Sequence, residues 1–123
     1  MKLGLGLGLA NSGGANVAAP TVISATIGQS GTTFTVVFSE SVTLTSATGI
    51  TITDVTQSTT PVATYVSGSG SNTAVFSLGT TVHNNDSVTW AYVSGSGNIV
   101  AAGLGHAPLA SFSGAAIVNN SVQ

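Results

Sequence analysis

The tightest constraint on this chain is a period of two that recurs along most of its length. Between Thr33 and Phe38, Phe34, Val36 and Phe38 point one way while Thr33, Thr35 and Val37 point the other. Ala74, Phe76 and Leu78 repeat the pattern, as do Val88, Trp90 and Tyr92. Alternation of this kind places one apolar face on a pleated strand, whereas a helix would need apolar residues three and four apart. No segment has the helical period. Val, Ile and Thr fill the alternating positions, and their branched side chains suit a half-buried sheet.

Turn signals separate these runs. Gly28-Gln29-Ser30-Gly31, Gly68-Ser69-Gly70 and His83-Asn84-Asn85-Asp86 are rich in residues that reverse the chain. The segments between them predict strands at Thr21–Ile27, Thr32–Ser39, a short piece around Val42–Leu44, Ile50–Asp54, Val62–Ser67, Thr73–Leu78, Ser87–Val93 and Ala115–Val122. A long Gly-rich loop is expected from Ser94 to Ser113. Seven or eight short strands with regular turns predict an all-β fold, an Ig-like antiparallel β-sandwich with an extended N-terminal arm. The VSGSG at 66–70 and again at 93–97 reads as a shared turn solution rather than a repeat.

The expected organisation is an arm over residues 1–20 and one sandwich over residues 21–123, a length suited to a single domain. In the arm, Leu3, Leu5, Leu7 and Leu9 alternate with Gly4, Gly6 and Gly8. An extended ribbon would carry four leucines on one face and bare backbone on the other. These leucines are the candidate partner-binding residues. Lys2, a short apolar run and then small residues also follow the order of a secretory signal, although the run is short and half glycine. Ordering a residue costs about 1–2 kcal/mol and burying a leucine returns about 1.5–3 kcal/mol. The arm is therefore expected to order only when docked.

Charge narrows the function. Only 3% of the residues are charged, and the net charge is -2. Lys2, Glu40, Asp54 and Asp86 are the whole inventory, with His83 and His106 beside it. Nucleic acid demands several cations to replace counterions, so that partner is excluded. A polybasic membrane contact fails for the same reason, and no run approaches the roughly 20 apolar residues of a spanning helix. With no cysteine, disulfides and thiolate metal sites are absent.

No residue pattern points to catalysis. His83 in its polar turn reads as a solvated residue, and His106 lies isolated between Gly105 and Ala107. Glu40 and Asp54 would be the candidate pair for acid–base work on a glycoside. They read instead as strand-end residues that accept hydrogen bonds from neighbouring loops. Two histidines and scattered acids do not make a zinc or calcium site. Trp90 and Tyr92 share a face with Val88 and read as core; Tyr65 is the better candidate for exposure. A carbohydrate partner is left open, with no residue to support it. The expectation is a protein that is not an enzyme and needs no cofactor or metal.

SGTTFTVVFSESV at 30–42, DSVTWAY at 86–92 and ASFSGAAIVNN at 110–120 together resemble bacterial Ig-like repeats of the SwmB type. Phe34, Val36, Phe38, Ser39, Glu40 and Val42 carry the first of these matches. The resemblance spans roughly residues 20–121. It implies a β-sandwich serving as a spacer, adhesion or scaffold module without catalysis. The late loop NIVAAGLGHAPL lacks the carboxylates of related surface repeats, so no calcium role is carried over. The LGLGLGL opening, on a small charge-poor β protein that starts at its own methionine, resembles small structural proteins of tailed bacteriophages. That implies a decoration, cement or fibre-like virion component made in the host cytoplasm. Its arm would dock on other virion subunits, whether copies of itself or capsid or tail protein. The leading expectation is this virion role. The alternative is a cell-surface or extracellular Ig-like adhesion or spacer module.

Overall fold

A computed structural model describes residues 18–123. Residues 1–17, and with them Leu3, Leu5, Leu7 and Leu9, lie outside the described residues. Eight strands follow in order: β1 Val22–Ile27, β2 Thr33–Thr43, β3 Ile50–Asp54, β4 Ala63–Ser67, β5 Ser71–Leu78, β6 Val88–Tyr92, β7 Val100–Ala101 and β8 Phe112–Asn119.

The strands form two layers. One runs β1-β2-β5-β4 and the other β3-β6-β8. In chain order this is the A-B-E-D and C-F-G division of a constant-type Ig-like sandwich. The layers are stitched along one flank, where the end of β1 pairs in parallel with the end of β8 through Thr26–Val118 and Ile27–Asn119. All other pairings are antiparallel.

The alternating positions make the core. Phe34, Val36 and Phe38 of β2, Ala74, Phe76 and Leu78 of β5, and Val88, Trp90 and Tyr92 of β6 are all buried. A line of aromatic rings joins the layers. Phe76 lies 5.8 Å from Phe34, Phe34 meets Trp90 edge-on at 5.2 Å, and Trp90 meets Phe112 edge-on at 4.7 Å. Edge-to-face pairs at these separations add to the gain from burial itself. In antibody domains a disulfide joins the second and sixth strands of this fold. Here Phe34 on β2 and Trp90 on β6 occupy that connection without a covalent bond.

The sequence expectations need four adjustments. β2 runs on to Thr43 and absorbs the piece predicted around Val42–Leu44. Its register shifts between Val37 and Val42, so the strand bends before its end pairs with β7. β8 starts at Phe112 rather than Ala115 and stops at Asn119. The long loop is not a bare connection, because it contains β7 and buries Ile99, Ala101 and Leu109. Tyr92 organises it, its hydroxyl accepting the Ile99 N–H at 3.0 Å. Tyr65 is half-buried, not an exposed ring. It packs edge-on to Phe76 at 6.2 Å, and its hydroxyl accepts the Ser69 N–H at 2.9 Å.

Candidate functional site

The chemistry-bearing side chains gather at one end of the sandwich, where β3 finishes and β6 begins. Asp54 closes β3 and Asp86 precedes β6, and the pairing of Asp54 with Val88 brings the two segments together. Both aspartates are buried, at 1% and 6% exposure. Gln57 binds them jointly: its backbone N–H donates to Asp54 Oδ1 at 3.0 Å, and its side-chain amide donates to Asp86 Oδ1 at 3.0 Å. The His83 N–H donates to Asp86 Oδ2 at 2.8 Å. Asn119, at the end of β8, donates its amide to the carbonyls of His83 and Asp86 at 2.8 and 3.0 Å. Three separate segments are thereby tied at one point.

The two carboxyls are driven apart in acidity. Burial, helped by the contact with Asp86, pushes the Asp54 carboxyl above the usual carboxylate range. The Gln57 amide, with the His83 N–H, holds Asp86 below it. The two buried carboxyls therefore differ in acidity, Asp54 the weaker acid and Asp86 the stronger. The imidazole of His83 lies 3.6 Å from Asp86 Oδ2, with a side chain 55% exposed.

A carboxyl pair with unequal acidity is also the arrangement of acid–base catalysis, so access to substrate decides its role. Neither of the two surface grooves described below is lined by Asp54 or Asp86. The hydrogen bonds to the pair come from the backbone and amide of Gln57 and the backbone of His83. The arrangement ties the loops after β3 and before β6 at this end of the sandwich. The sequence reading set Glu40 and Asp54 aside as an acid pair; the carboxyl that influences Asp54 in the fold is Asp86. Glu40 is half-buried on β2. Sequence spacing had no means of finding the true pair, because residues 54 and 86 meet only through β3–β6 pairing. His106 sits apart from this cluster, its Nδ1 3.1 Å from the Ala101 carbonyl. Among the described residues, no three of His, Cys, Asp and Glu converge as a metal site would require.

Two grooves mark the flanks. One, of about 640 Å³, lies between the outer strands β3 and β4, where the two layers end; Thr45, Ser46, Thr48 and Thr51 face Thr60 and Tyr65 across it. Among the described residues, β3 and β4 are each paired on one side only. Among residues 18–123 there is no lysine or arginine, so none of the described residues sets such a cation at either edge. The second groove, of about 370 Å³, is apolar and lies on the opposite flank, between the start of β1 and the start of β8. Val62, Val66, Ile23 and Val118 are exposed apolar residues on these strands and their approaches, between 57% and 70% accessible.

No family model matches the chain, and no curated protein sequence matches it significantly. Among solved structures, the fold is similar to the N-terminal part of the bacterial S-layer protein SbsC, with a TM-score of 0.61 and 22% identity. The match covers 78% of this chain and 22% of that one. The chain thus spans about a fifth of the length of the structure it resembles, and the likeness is one of fold.

Proposed function

We propose that this chain is a non-catalytic Ig-like module of a bacterial cell-surface layer, acting as a spacer or adhesion unit that meets neighbouring protein through its sheet edges. The supporting observation is the pair of uncharged free edges on β3 and β4. Natural sheets usually protect such edges with lysine, proline or charge. Pro61 precedes β4, but β3 and β4 themselves carry one acidic or basic side chain, the buried Asp54. Edges left open in this way suit a module whose neighbour supplies the next strand. The likeness in fold to part of an S-layer protein favours the surface setting over others open to a β-sandwich.

A second reading, a structural component of a phage virion, draws on a different observation. The alternating leucines and glycines at 3–9 have the form of an arm that docks on a neighbouring subunit. Mass spectrometry separates the two. Peptides of this chain are expected in the washed envelope fraction of the cells that express it and in material released by protease treatment of intact cells. Their enrichment in purified phage particles, with none in the envelope, would overturn the surface reading and establish the virion one.

A further inference from the structure

The first and last strands of the described residues meet along one flank of the sandwich. β1 and β8 run in the same direction and pair through Thr26–Val118 and Ile27–Asn119. The contact continues past both strand ends. The Asn120 N–H donates to the Ile27 carbonyl at 3.0 Å, and the Val122 N–H donates to the Gln29 carbonyl at 3.1 Å. Donors two residues apart reach acceptors two residues apart, which is the even spacing of a parallel ladder. The Gln123 side-chain amide adds a bond to the same Gln29 carbonyl at 3.1 Å. On its other side this segment is tied to the loop before β6. The Asn84 N–H donates to the Gln123 carbonyl at 2.9 Å, and the Asn119 amide holds the carbonyls of His83 and Asp86.

Direction gives this contact its meaning. β1 begins beside Phe38 and ends beside Phe34, and β8 ends where β1 ends. The chain therefore enters β1 at one end of the sandwich and leaves β8 at the other. The six residues of β1 separate the two points by roughly 20 Å. When such a pair is pulled lengthwise from opposite ends, its hydrogen bonds lie across the pull and must give together. Pulled open from one end, the same bonds break one after another.

We propose that the β1–β8 contact is a load-bearing clamp: tension applied along the chain, at Ala18 and at Gln123, is carried by this parallel ladder in shear. The antiparallel bonds of β1 to β2 and of β8 to β6 also lie across that pull, so neither strand is peeled from its layer. Ile27 and Ile117, both buried in the core, resist the sliding of either strand. The clamp gives a spacer resistance to stretching, and for that purpose it rests on the spacer reading proposed above. A virion location found by fractionation would remove the purpose and leave the mechanics untouched, so the two fail separately.

The chain has no cysteine, so pulling handles can be attached at single introduced thiols in the full chain. Ala18→Cys, with a cysteine added after Gln123, loads the ladder in shear. Gln29→Cys, with the same added cysteine, pulls it open from its end. Ala18 and Gln29 are both exposed. In optical tweezers, the force of first rupture is expected to be several-fold higher in the first geometry than in the second. Val122→Pro removes one donor of the ladder, and the exposed Val122 side chain is not part of the core. In this variant the shear force should fall, while the circular dichroism and the urea midpoint stay close to those of the parent. Equal forces in the two geometries overturn the proposal, as does a shear force unchanged by Val122→Pro in a folded chain. Should Val122→Pro fail to fold, the comparison of the two geometries in the parent decides alone.

Discussion

At the scale of single residues, the best-defined device is the carboxyl pair of Asp54 and Asp86. Its two halves respond to pH in opposite senses. Asp54 titrates higher in the folded state than in the unfolded chain, so its contribution is complete at low pH and lost as pH rises through the raised value. Asp86 titrates lower when folded, so its contribution is complete above the ordinary carboxylate range and lost as pH falls through the lowered value. The fold is therefore expected to be most stable between the lowered Asp86 titration and the raised Asp54 titration. Asp54→Asn replaces the carboxyl with a group that does not titrate. Urea unfolding of this variant should lose the fall in stability that the parent shows as pH rises through the Asp54 titration, and keep the fall on the acid side that Asp86 causes. An unaltered fall with rising pH would show that Asp54 is not the group responsible for it. Other residues show how far spelling underdetermines geometry. The two VSGSG segments look equivalent, yet Gly68 and Gly70 in the first adopt φ of 115° and 88°. A Cβ on Gly68 would run into the Thr73 carbonyl. In the second, Gly97 instead makes room for the Tyr92 ring, and a Cβ there would strike the phenol. A turn was legible in both; the reason for each glycine was not.

Among the elements, the strands with one buried face were legible because burial enforces the alternation. β3 was read with its correct ends, and β1, β5 and β6 within two residues. Reading failed where the partner is distant or the burial irregular. β2 continues through Ser39-Glu40-Ser41, a polar stretch that reads as a break, because its bend lets Val42 reach Ala101 of β7. The segment 94–111 buries Ile99 and Ala101 two residues apart, but they lie in an unbroken apolar run with Val100 and Ala102, so no alternation marked the two-residue strand. The parallel contact of β1 with β8 joins residues more than ninety positions apart, and with it the groove was invisible in the sequence. The contact of β2 with β6 was half visible, since Phe34 and Trp90 were both placed in the core but not against each other. That contact stands where antibody domains carry a disulfide, and it should dominate stability. Phe34→Ala is expected to cost about 3–5 kcal/mol by chemical denaturation. A loss under about 1 kcal/mol would mean that the aromatic line is not the joint between the layers.

For the molecule as a whole, the lack of charge governs behaviour. With three acids, and no lysine or arginine, among residues 18–123, there is little long-range repulsion between copies and little for salt to screen. Association through β3 and β4 would rest on backbone hydrogen bonds and apolar contact. The proposed molecule is an Ig-like module that joins its neighbours by uncharged edges. It is tested most directly by light scattering of the full chain over a range of concentrations, in low and high salt, beside a variant carrying Thr51→Lys on β3 and Thr64→Lys on β4. Both threonines are exposed, so the lysines can reach water without disturbing the core. The predicted result is concentration-dependent association of the parent, indifferent to salt, and a folded monomer for the variant. A parent that stays monomeric throughout, or a variant that assembles as the parent does, would contradict it.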